Sequence, residues 1–72
     1  MWIVAQDGAR VINTDHISVL YMDSTRRKIT ARVESGDLVV IAVYKEPESC
    51  KTAFNELLAN LSNREPNFLV VV

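Results

Sequence analysis

The apolar residues of this chain change their spacing once, and the change falls between Tyr44 and Cys50. Before it, they alternate with polar residues or form short runs bounded by turn signals, the period of strands. After it, Cys50, Ala53, Phe54, Leu57, Leu58 and Leu61 recur at intervals of three and four, the stripe of an amphipathic helix. A chain that switches period in this way, once and late, folds as a set of short strands followed by one helix.

Turn residues divide the first part regularly. Trp2 to Ala5 is a short apolar run, and Asp7-Gly8 predicts a two-residue hairpin turn with positive φ at both positions, returning through Arg10-Val11-Ile12. Asn13-Thr14-Asp15 breaks the run, because such side chains bond their own backbone. In the next strand, His16 to Met22, alternation puts Ile17, Val19 and Tyr21 on one face and His16, Ser18, Leu20 and Met22 on the other. After the polar loop Asp23-Ser24-Thr25-Arg26-Arg27, Lys28 to Glu34 alternates cleanly. Ile29, Ala31 and Val33 point one way, and Lys28, Thr30, Arg32 and Glu34 the other, as in a strand with one wet face. Ser35-Gly36-Asp37 turns the chain again. Leu38 to Tyr44 is apolar throughout and reads as a central strand covered on both faces.

Pro47 suits the first turn of the helix, where its missing N–H costs nothing, and Glu46 and Glu48 complement the positive helix N-terminus. Ser62 to Asn67, with Pro66, ends it. Phe68 to Val72 closes the chain with five apolar residues of strand type. The expected fold is α+β: a mostly antiparallel sheet of four to six short strands, a meander of hairpins, with one amphipathic C-terminal helix on one face. Residues 1–72 form a single domain.

At this size the chain buries roughly 60% of its unfolded surface, and small proteins of this kind lean on disulfides, metals or partners. Cys50 is the only cysteine, so no intrachain disulfide forms, and one His and one Cys do not make a zinc site. Association with another chain is the remaining way to add buried area. The balance of 8 Lys+Arg against 9 Asp+Glu lacks the basic excess of a protein that grips nucleic acid through phosphates. No stretch approaches the roughly 20 apolar residues of a membrane span. The N-terminus has no basic region of a signal peptide, so a lone reduced thiol points to the cytoplasm.

Few residues bear chemistry. His16 lacks a defensible nucleophile partner, and a lone His at a strand start is ordinarily just exposed. Cys50 lies near a helix N-terminus, where a thiol can acidify, yet it is in register with Ala53, Phe54 and Leu57 as a packing residue would be. Asp7, Asp15, Asp23 and Asp37 lie in turns and do not match a calcium loop, and Gly8 and Gly36 cannot form a phosphate loop. The sequence therefore points to no enzyme, catalytic residue, cofactor or metal. Arg26, Arg27, Lys28 and Arg32 are the one basic concentration, readable as a phosphate-contacting hairpin or as a solvated turn. Trp2 at one end and Phe68, Leu69, Val70 and Val71 at the other are apolar for terminal segments. They form either an interface, by isologous dimerisation or strand addition, or a pair of strands within one monomer.

Met1-Trp2-Ile3-Val4-Ala5-Gln6-Asp7-Gly8, Val11-Ile12-Asn13 and Ile17 to Tyr21 resemble a group of small proteins common in Firmicute genomes and their mobile elements. In that group a strand ending in Tyr, like Val40 to Tyr44, also runs into an acidic-started helix like Glu46 to Leu58. The resemblance covers roughly residues 1 to 60 and implies a small α+β fold and the cytoplasm. Strands before a closing helix are also similar to bacterial pleckstrin-homology-like domains, and Asn13 to Ile17 with its following strand is similar to LytTR-type DNA-binding domains. The expected function is a non-enzymatic protein-interaction module, homo-oligomeric as a homodimer. The alternative is a nucleic-acid-binding or regulatory accessory protein using the basic hairpin.

Overall fold

Six short apolar segments pair as strands in the computed structural model of the protein, which describes residues 1–63 and 68–71. They are β1 (Trp2–Val4), β2 (Val11–Asn13), β3 (Ile17–Met22), β4 (Lys28–Val33), β5 (Leu38–Val43) and β6 (Phe68–Val70). A single turn of 3-10 helix at Thr14–His16 separates β2 from β3, and the helix α1 (Pro47–Asn63) lies between β5 and β6. The α+β class and the helix start at Pro47 agree with the periodicity. Of the expected helix stop, Ser62 to Asn67, residues 64–67 lie outside the described residues, as does the last tail residue, Val72.

The strands divide into two three-stranded sheets, ordered β2-β1-β6 and β3-β4-β5. The division falls at the 3-10 turn. There the Asn13 side chain accepts from the Asp15 N–H at 3.0 Å, while the Thr14 backbone N–H and hydroxyl both donate to the Met1 carbonyl. These bonds anchor the chain to the start of β1 before it leaves for the second sheet. The second sheet is an antiparallel meander, as the alternation implies. In the first, β6 pairs with β1 in parallel, Trp2 opposite Phe68 and Val4 opposite Val70. The Val71 N–H continues the ladder to the Val4 carbonyl at 3.1 Å.

Three local expectations are corrected. Asp7-Gly8 is not a two-residue turn: Ala5 N–H bonds Arg10 O at 2.9 Å, leaving four residues in the connection, and of the two only Gly8 has positive φ. The Asp7 carboxylate accepts from the Ala9 N–H, and Gln6 is drawn aside to β5. β5 is not a central strand covered on both faces but the outer strand of its sheet. A bulge between Ile29 and Thr30 lets Ile41 and Ala42 both turn inward, while Leu38, Val40 and Val43 face out. A second irregularity, at Ser18, moves Ile17 opposite Val33 on the inner side, away from the face of Val19 and Tyr21.

The core is built from the inner faces of both sheets and the helix stripe. Ile3, Ile29, Ala31, Ile41 and Cys50 are fully buried, with Leu57, Leu69 and Val71 nearly so. Ala53, Phe54 and Leu61 pack against them from α1, which lies on β3 and β4. Leu58 belongs to the sequence stripe but sits at its edge, exposed. Burying an isoleucine contributes about 2–3 kcal/mol. Replacing Ile29 by Ala should therefore cost about 2–5 kcal/mol in urea unfolding, and Leu58→Ala under about 1 kcal/mol. Equal costs would mean that the helix is docked by a different face.

Candidate functional site: the open face of the second sheet

Cross-strand partners in an antiparallel sheet share a face, so the register shows what the outer side of β3-β4-β5 presents. Val19, Arg32 and Leu38 form one rung, Tyr21, Thr30 and Val40 the next, and Lys28 and Val43 a third. Nothing among the described residues covers this face. Val19, Leu38, Val40 and Val43 are 46%, 56%, 38% and 52% exposed. Thr30 is only 5% exposed, shielded at the centre of the face by its rung neighbours. The result is a polar row on β4, Lys28, Thr30 and Arg32, between two aliphatic margins.

At one end of the face stands the β3–β4 loop. Asp23 organises it: its carboxylate accepts from the Thr25 hydroxyl at 2.9 Å and from the backbone N–H groups of Arg27 and Lys28 at 3.1 and 3.3 Å. Arg26 takes φ +59, a left-handed conformation uncommon for a side chain of this size. The loop is thus held by hydrogen bonds rather than left slack. Partial burial raises the Asp23 pKa, but the Thr25 hydroxyl, the two N–H groups and the Lys28 charge outweigh it and hold the carboxyl below its ordinary value. All four basic residues are exposed: Lys28 and Arg32 lie on the open face, and Arg26 and Arg27 in the adjoining loop.

The other sequence candidates are dispersed. His16 bonds Glu34 at 3.3 Å on the surface, an exposed pair of small energetic value. Cys50 is buried, and that burial, with the Asp23 carboxylate, pushes its thiol pKa up. Proximity to a helix N-terminus therefore does not activate it. No group of three or more metal-ligating side chains occurs among the described residues, and no helix among them is long and apolar enough to cross a membrane. Of the terminal residues, Trp2 is exposed, whereas Leu69 and Val71 are buried in the chain's own core. Phe68 and Val70 pair through their backbone, and their side chains lie outside the description. The open face escaped sequence reasoning because an unbroken apolar run looks buried. The bulge that exposes half of it leaves no residue signature.

Comparison of the chain with family models, with curated proteins and with solved structures finds no match.

Two outcomes check this geometry. The buried thiol should react with a small disulfide reagent about a hundredfold or more slower in the native protein than in urea, the factor set by an opening free energy of about 3 kcal/mol. Asp23, with its folded pKa depressed, adds stability that is fully present above the ordinary carboxyl value of 3.8 and lost as pH falls through the folded value. The wild-type melting temperature should therefore drop more than that of Asp23→Asn between pH 5 and pH 2, and parallel curves would remove the role given to this carboxylate.

Proposed function

We propose that the protein is a non-enzymatic interaction module of the bacterial cytoplasm that associates with a second copy of itself through the outer face of β3-β4-β5. The observation that carries this reading is the exposure of Val19, Leu38, Val40 and Val43 together on one uncovered face. Scattered apolar residues on a surface are ordinary, but aliphatic margins on both sides of a sheet are not. The β4 row supports a two-fold arrangement. The strand begins with Lys28, and Glu34, already bonded to His16, stands in the turn just after it, so two copies packed with their β4 strands antiparallel set each lysine towards a glutamate.

Three strands of six residues span about 20 Å by 10 Å, less than the roughly 800 Å² per partner of a standard interface. The dimer should therefore be weak, with a dissociation constant between about 10 μM and 1 mM. Sedimentation equilibrium to about 1 mM should show it, and Val40→Lys, an exposed substitution, should weaken it about tenfold or more. A protein that stays monomeric at that concentration, or a variant that dimerises equally well, contradicts the reading.

One observation favours a second reading. Lys28 and Arg32 share the open face and Arg26 and Arg27 adjoin it, which supports a phosphate-contacting surface. Fluorescence anisotropy with a labelled oligonucleotide at about 20 mM salt decides it: binding must weaken steeply with added salt, and Arg32→Ala must reduce that slope by about one. Absence of binding removes it.

A further inference from the structure

On another side of the molecule, α1 and the tail leave a groove of about 460 Å³, within the size range of small-ligand sites. Leu57, Leu69 and Val71, all buried, form its floor, and Tyr44, Glu48 and Glu56 stand at its rim. Among the described residues that line it there is no Lys, Arg or His. Neither glutamate forms an ion pair with any described residue. Glu56 acts on Tyr44 across the groove: burial first, then the Cys50 and Glu56 charges, raise the phenol's pKa. Glu48 and Glu56, eight residues apart on one helix, are separated by about 12 Å along its axis.

We propose that this groove binds an aliphatic cation, an ammonium or guanidinium carried on an apolar stem. The floor takes the stem by excluding water, and the rim carboxylates and the tyrosine ring face the charge. An anion of the same shape meets two like charges, and a neutral ligand gains nothing from either carboxylate. With carboxylates at two places along the groove, a linear dication satisfies both ends where a monocation satisfies one. The cation can be a free amine or the Lys or Arg side chain of another protein.

The test is a two-dimensional amide NMR titration of the whole chain with hexylammonium, 1,6-hexanediammonium and hexanoate. Saturable shifts confined to the amides of Tyr44, Leu57, Leu69, Val71 and their neighbours are expected from both ammonium ions, with none from hexanoate. The dication should bind about twofold to fivefold tighter than the monocation, the range of an exposed charge pair. The doubly substituted Glu48→Gln, Glu56→Gln chain should lose up to about tenfold in affinity while its spectrum elsewhere is unchanged. A short unstructured lysine peptide distinguishes the sources: tighter binding than hexylammonium identifies a side chain of a partner, and weaker binding a free amine. Equal shifts from hexanoate, or no saturable shift from either ammonium ion up to about 50 mM, would overturn the proposal.

Discussion

Ile3 lies between Ile12 and Leu69, in register with both, and all three side chains are buried. On this rung the first strand, its hairpin partner and the far end of the chain meet. Among the described residues β1 is the central strand of its sheet, with β2 on one side and β6 on the other. Remove β6 and β1 becomes an edge, and the core loses Leu69 and Val71 with it. A second link joins this sheet to the other. The Gln6 N–H donates to the Ile41 carbonyl at 2.8 Å and the Gln6 side-chain oxygen accepts from the Val43 N–H at 3.0 Å. One residue thereby occupies two outward backbone groups of the β5 edge, which would otherwise offer a template for strand addition.

These two links determine what the molecule leaves available. Leu69 and Val71 are buried in the chain's own core and cannot serve a partner without leaving it, whereas Trp2 is exposed. The β5 edge is partly capped by Gln6. Among the described residues nothing covers the outer side of β3-β4-β5, with its aliphatic margins and the cations Lys28 and Arg32 between them. The same return of the tail also builds the groove, because Leu69 and Val71 approach Leu57 and Tyr44 only when β6 is seated on β1. Both surfaces are consequences of how the chain closes on itself.

Much of this was legible in the residues. The helix shows in the spacing from Cys50 to Leu61 and the wet face of β4 in its strict alternation, because both are local periodicities that each element carries by itself. The tail was readable as a strand, and its pairing with the N-terminal strand within one monomer was one of two readings; the parallel direction was not legible, since a pairing across more than sixty residues leaves no local pattern. The Asp7-Gly8 signal misled for a tertiary reason: Gln6 beside it is committed to β5, and the turn widens to let it reach. In β5 the bulge at Ile41 breaks the alternation that would have marked Leu38, Val40 and Val43 as outward. The groove depends on three elements meeting.

The account turns on whether β6 pairs with β1 of its own chain. An isotope-filtered NMR experiment on a mixture of labelled and unlabelled protein reads this directly, because only contacts between different chains survive the filter. The structure predicts strong Trp2–Val4 to Phe68–Val70 contacts in uniformly labelled protein and none of them in the filtered spectrum of the mixture. If those contacts persist through the filter, the tail is exchanged between chains, the ends of the molecule are its interface, and the open face loses its claim to be the surface that matters.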